Sequence, residues 1–214
     1  MTNVQKQQSQ QNGLYSKLWS IANDLRGNMD ASEFKNYILG LIFYRYLSEN
    51  LLDYVNNVLL KEDNMTYHKA WEQDEYQHAL KGDLLEDSRV GYYIEPENLY
   101  SSLIHKINTG TFNITLLAKA VNALSDSTLG SESKDDFANL FDDMDLNSTR
   151  LGKSESERTK LITKVMLKIN DIDFHIHDSE IDILGDAYEY LIGQFAASAG
   201  KKAGEFYIRE LCRV

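Results

Sequence analysis

Residues 30–61, DASEFKNYILGLIFYRYLSENLLDYVNNVLLK, decide the fold class. Phe34, Ile38, Leu41, Leu52, Val55 and Leu59 recur with helical period through about 30 residues that contain no proline. Asp30 and Glu33 open the run as a capping-box-like pair, the aspartate accepting from exposed amides and the glutamate reaching back. Gly40, inside the run, costs up to about 1 kcal/mol against alanine, so it is predicted to admit a close neighbour. The whole chain has one proline in 214 residues. Average usage would give roughly 10. Long uninterrupted helices follow, because proline removes a backbone donor and clashes with the preceding turn.

Toward the amino terminus, Leu14, Leu18, Ile21 and Leu25 mark a second helix, with Gly27 just past its end. Residues 1–12 are polar and glutamine-rich and are expected to be a disordered lead. Toward the carboxyl terminus, a helix is predicted over 67–80 with a loop around Gly82. Gly91, Tyr92, Tyr93 and Ile94 form the best short extended segment. Pro96 suits a first helical position, followed by a buried stripe of Leu99, Leu103, Ile104 and Ile107. Leu116, Leu117, Ala120, Val121 and Leu124 mark a helix ending near Ser125, and the serine- and aspartate-rich 124–136 reads as a loop. Ser154 and Glu157 form a capping box that opens a helix with Leu161, Ile162, Val165 and Ile169 inward. Residues 171–177 alternate like an extended segment, and the last strong helix covers 181–199. The expected architecture is all-α: a helical bundle of about six to eight helices with at most one or two very short extended segments. No long repeat is present, so a solenoid is not indicated.

The formal charge of -11 argues against indiscriminate phosphate binding. The acid is unevenly placed: residues 61–98 carry four basic and ten acidic side chains, whereas 150–169 carry six basic and two acidic. Cys212, the one cysteine, cannot form an internal disulfide. No run approaches the ~20 apolar residues of a membrane span; the most apolar stretch, 37–47, contains Arg45. A soluble, cytoplasmic protein without membrane association is expected.

Within the basic island, Lys160, Lys164 and Lys168 fall at i, i+4 and i+8, one stripe opposite the apolar face, with Lys153 and Arg158 close by. These five residues are the candidate nucleic-acid-binding set, since such a stripe can track phosphates. An ordinary solvated helix face has the same spacing. His175 and His177 would share a face if extended, but no third ligand completes a metal site, and none is expected. Asp182, Asp186 and Glu189 lie on one side of the last helix, where acids commonly complement the dipole. Gly200-Lys201-Lys202 lacks the rest of a Walker loop, and neither G-x-G-x-x-G nor G-x-S-x-G occurs. No catalytic residue is assigned.

Residues 182–207, DILGDAYEYLIGQFAASAGKKAGEFY, closely resemble the methyltransferase (modification) subunit of bacterial type I restriction–modification systems. Leu18-Trp19 with Asn23-Asp24-Leu25-Arg26 resembles that family's opening helix, FKNYILGLIFYRYLS at 34–48 its long second helix, and LFDDMDLNSTRLG at 140–152 a further segment. The resemblance implies a helical amino-terminal domain ahead of a Rossmann-like domain. In the family the latter transfers a methyl group from S-adenosylmethionine to adenine N6 of a specific DNA sequence, with the base flipped from the duplex.

The family's catalytic N-P-P-F or N-P-P-Y segment and its acidic, glycine-rich cofactor loop are absent from this sequence, so the chain alone is expected to be inactive. Glu205, Phe206 and Tyr207 match the family element that contacts the cofactor, but Ile208 and Arg209 replace its threonine and proline. The expectation is a truncated product: a disordered 1–12, a helical domain over 13–200, and the start of the Rossmann-like domain over 201–214. The implied partners are the specificity subunit, the restriction subunit, a second copy of the modification subunit and double-stranded DNA. A non-catalytic helical adaptor within such a complex is the alternative. A stand-alone enzyme using Asp182, Asp186 or the histidines has little support.

Overall fold

The computed structural model describes residues 3–25, 31–87, 90–128, 141–173 and 183–196. They form eight α-helices: α1 (Asn3–Leu25), α2 (Ala31–Tyr54), α3 (Tyr67–Trp71), α4 (Asp74–Glu86), α5 (Tyr100–Asn108), α6 (Ile114–Ser127), α7 (Glu155–Asn170) and α8 (Ile183–Ala196). No strand occurs among the described residues. The chain divides into two compact units, one of residues 1–43 with 143–214, the other a continuous 44–142.

In the first unit α1 packs against α7 and α8. Leu14, Leu18 and Ile21 of α1 are buried, as are Ile162, Val165, Met166 and Ile169 of α7 and Ala187 and Leu191 of α8. These stripes follow the helical period, so each helix buries one face and leaves the other to solvent. Two lysines tie the helices at their edges. Lys168 donates to the Ser20 hydroxyl at 2.8 Å and the Ser20 carbonyl at 3.3 Å, and Lys17 donates to the Asp171 carbonyl at the end of α7. The close approach expected at Gly40 is present: a Cβ there would lie 2.8 Å from Met144 Sδ. Tyr37 donates to the Asp145 carbonyl nearby, at 2.8 Å.

Three elements differ from the sequence expectation. Residues 3–12, read as a disordered lead, are helical and continue α1 upstream of its apolar stripe; glutamine and lysine are good helix formers. The helix expected over 67–80 is broken at Glu72 and Gln73. Gln73 is extended, and α4 restarts with Asp74 and Glu75 in its first turn, where acids suit the dipole. Gly82 therefore lies inside α4 rather than in a loop. Finally, α2 ends in a π-helical turn, Val55–Leu59, in which the Leu60 amide bonds the Val55 carbonyl at 2.8 Å. The extra residue shifts the inward face by one position. Leu60 is buried at 3 % exposure, whereas Leu59, the residue expected inward, is half-buried.

The second unit holds a non-helical run, residues 91–95, and a 3-10 turn, Pro96–Asn98, opened by the proline as expected. Backbone groups there have no helical partners, and side chains supply them. Tyr67 donates to the Ile94 carbonyl (2.9 Å) and Tyr44 to the Asn98 carbonyl (2.7 Å). Ser127 accepts from the Tyr93 amide (3.2 Å), and Ser48 accepts from the Tyr100 amide (2.7 Å). Tyr92 returns a bond to the Leu47 carbonyl at 3.0 Å. Arg45 is buried among them, its Nε 2.6 Å from Glu49 and its guanidinium over the Tyr100 ring. After α5, Gly110 adopts φ +74°, the left-handed conformation that lets a helix end, and the Thr111 amide bonds back to the Lys106 carbonyl.

Candidate nucleic-acid interface

The basic island folds as the amino-terminal approach and outer face of α7. Ser154 caps the helix, its hydroxyl accepting from the Glu157 amide at 3.2 Å. Glu157 accepts in return from the Ser154 amide (3.3 Å) and the Lys153 amide (2.7 Å). Gly152 lies hard against this turn: a Cβ there would come 2.6 Å from Glu157 Cβ and 2.8 Å from the Arg158 backbone nitrogen. The helix start is thus held by side-chain bonds and by a backbone contact that only glycine allows.

The five candidate basic residues separate into two groups. Lys153, Lys160 and Lys164 are exposed. Lys160 and Lys164 stand one turn apart, about 6 Å along the helix axis. Lys168, the third member of the stripe, is half-buried and turned onto Ser20 of α1. Arg158 is also half-buried; its Nη1 donates to the Gly152 carbonyl at 3.3 Å, and its buried Nε has no hydrogen-bond partner. Helical spacing gives all three lysines one face, but the packing of α1 takes Lys168 out of the solvated row.

Glu205, Phe206 and Tyr207 lie outside the described residues, as do His175, His177 and Asp182. Among the described residues no group of three or more His, Cys, Asp or Glu is arranged to hold a metal, and no helix is long and apolar enough to cross a membrane. His68 Nε2 lies 3.4 Å from Ser102 Oγ, a pairing that sequence reasoning did not find. Ser102 gives its proton to the Pro96 carbonyl at 2.6 Å, so the imidazole is not positioned as its base. The pair fastens α3 to the start of α5.

Sequence reasoning also missed an aromatic groove between α1 and α8. Tyr15 and Tyr190 stack with ring centroids 4.3 Å apart and planes within 9°. Trp19, 40 % exposed, lies one turn along α1, and with Ser16 these residues line an open cavity of about 380 Å³. Burial raises the Tyr15 hydroxyl above its ordinary value, and the negative charges of Asp186 and Glu189 raise it further. The signal was present in the sequence, since Tyr15 and Trp19 repeat at i, i+4 one position beside the Leu14–Leu18 stripe. The groove opens to solvent.

Comparison with known proteins agrees along almost the whole chain. Residues 14–169 match the HsdM N-terminal domain family, and residues 179–212 match the N-6 DNA Methylase family. The division between the matches falls upstream of position 200, so α8 lies in the second. The type I restriction enzyme MpnII methylase subunit of Mycoplasma pneumoniae is 33 % identical over 94 % of this chain, which spans 38 % of that protein's length. The MjaIX methylase subunit of Methanocaldococcus jannaschii is 26 % identical over 90 % of this chain and 32 % of its own length. The crystal structure of a type I restriction-modification methyltransferase subunit from Streptococcus thermophilus matches with TM-score 0.75 and 36 % identity, over 92 % of this chain and 41 % of that one. With its helical architecture and both family matches in sequence order, the chain belongs to the HsdM family of type I restriction–modification methylase subunits, of which it represents the amino-terminal region.

Proposed function

We propose that this region helps enclose double-stranded DNA and assemble the subunits of a cytoplasmic type I restriction–modification complex. Its partners there are a specificity subunit, a restriction subunit and a second modification subunit. In such a complex S-adenosylmethionine supplies the methyl group for adenine N6, and the N-6 DNA Methylase region, of which residues 179–212 are a part, is the place for that chemistry. Glu205, Phe206 and Tyr207 are proposed as one edge of the cofactor site. The contribution of the helical region is electrostatic and architectural.

The observation that carries this reading is the row of Lys160 and Lys164, exposed and one turn apart on a helix whose opposite face is fixed in the core. With Lys153 they form the phosphate-facing part of the candidate set. Arg158 and Lys168 hold the row in place from within. In the methyltransferase assembled with its specificity subunit, K160Q/K164Q should weaken DNA binding and lower the slope of log affinity against log salt by about 2, one released counterion for each lysine. Unchanged affinity and slope over a salt titration would remove α7 from the DNA interface. K168Q should instead loosen α1 from α7 with little change in the salt slope.

The acidic charge of the chain favours a second reading, a helical adaptor acting through protein contacts alone. It predicts co-purification with the specificity subunit with no change in DNA affinity when the two lysines are neutralised.

A further inference from the structure

The groove between α1 and α8 has a chemistry that the DNA-facing row does not share. Its lining is aromatic: the stacked Tyr15 and Tyr190 pair, with Trp19 beside them. Its flank is acidic. Asp186 precedes Tyr190 by four residues on α8, which puts both on one face of the helix, and Glu189 is adjacent and exposed. Aromatic faces edged by carboxylates attract cations and repel phosphates.

We propose that the Tyr15–Trp19–Tyr190 groove docks an arginine-bearing segment of a protein partner. A guanidinium is planar and weakly hydrated. It can stack on a tyrosine or tryptophan face while its N–H groups reach a carboxylate in a fork, a combination a lysine ammonium does not reproduce. Tryptophan, tyrosine and arginine are also the residues that concentrate binding energy at protein interfaces. A nucleic acid would bring its backbone against Asp186 and Glu189. A second copy of the same groove, related by a two-fold axis, would set carboxylates against carboxylates.

The test uses the full chain with Trp71 replaced by phenylalanine, so that Trp19 is its one tryptophan. The probe is an eight-residue glycine–arginine alternating peptide, compared with its lysine and citrulline counterparts. The expected result is a saturable shift of Trp19 emission with the arginine peptide, a response about tenfold weaker with lysine and none with citrulline. D186N/E189Q, which keeps the shape of the groove, should weaken binding about tenfold. W19A, followed by calorimetry with its helical circular dichroism intact, should do the same. Arginine-peptide binding unchanged in both variants would mean attraction to the overall acidic charge, and the proposal fails. It also fails if oligo-dT gives the saturable shift and the peptide does not, which marks a base-stacking surface. Self-association abolished by W19A would identify a second copy of the chain as the occupant and overturn it as well. None of these measurements involves the lysine row of α7, so the outcome is separate from that of the DNA-binding test.

Discussion

The two units solve the same problem, a small all-helical core, by opposite uses of polar side chains. In residues 44–142 the hydroxyls of Tyr44 and Tyr67 point inward to carbonyls of the 3-10 turn and the non-helical run, and that of Tyr92 ties the same run to the Leu47 carbonyl of α2. In the unit of residues 1–43 and 143–214, Tyr37 makes one such bond, to the Asp145 carbonyl, but α1, α7 and α8 meet through aliphatic stripes, with Lys17 and Lys168 and the aromatic groove at the edges. The difference follows from backbone regularity. A helix satisfies its own amides and carbonyls, so its side chains are available for the surface; a run such as 91–95 must recruit them. The unit of regular helices is accordingly the one that displays the basic row and the aromatic groove.

The largest test of this contrast is alkaline. Burial pushes the hydroxyls of Tyr44, Tyr67, Tyr92 and Tyr100 well above the ordinary tyrosine value; Glu95 raises Tyr67 further, and Arg45 partly opposes the rise at Tyr100. The folded chain keeps these protons where the unfolded chain releases them. The associated stability is therefore intact below pH of about 10 and erodes as pH rises, by up to roughly 1.4 kcal/mol per group for each pH unit. Trp71 lies in the tyrosine-rich unit and Trp19 in the other. Urea denaturation of W19F and W71F at pH 8 and pH 11 should show the Trp71 midpoint falling much further than the Trp19 midpoint. Equal falls would end the contrast.

A smaller effect is expected from the other unit. Gly152→Ala drives a Cβ onto Glu157 Cβ and the Arg158 backbone, neither of which can rotate away. It should destabilise by about 2 kcal/mol in chemical denaturation. Gly40→Ala meets only the flexible Met144 thioether and should cost less. The reverse order would mean that the turn before α7 yields more easily than its contacts indicate. The smallest effect is Tyr67→Phe, which keeps the ring and leaves the Ile94 carbonyl without its donor. A loss of about 1 kcal/mol is expected, and a neutral substitution would show that this stitch is dispensable.

Much of the fold was legible in the sequence because burial repeats with the helical period. Leu14, Leu18, Ile21, Ile162, Val165 and Ile169 are all inward as their spacing requires. The Ser154–Glu157 cap was readable because its partners are local. What escaped was whatever depended on a one-residue change of register or on distant chain. The π-helical turn moved the buried position from Leu59 to Leu60, a slip that periodicity cannot register. The commitment of Lys168 depends on Ser20, 148 residues away, and the groove on the meeting of Tyr15 with Tyr190. Helical spacing identifies a face, but only packing says what that face meets.

The division of the chain carries a consequence for how it is made. Residues 44–142 are continuous, whereas the other unit is assembled from residues 1–43 and 143–214, on either side of them. On a ribosome the first can close as soon as it emerges. The apolar stripe of α1 waits for α7, and at 5–20 residues per second that delay is roughly 7–30 s. Throughout that interval Leu14, Leu18 and Ile21 lack the cover that α7 gives them, so α1 has need of a chaperone or of an early partner.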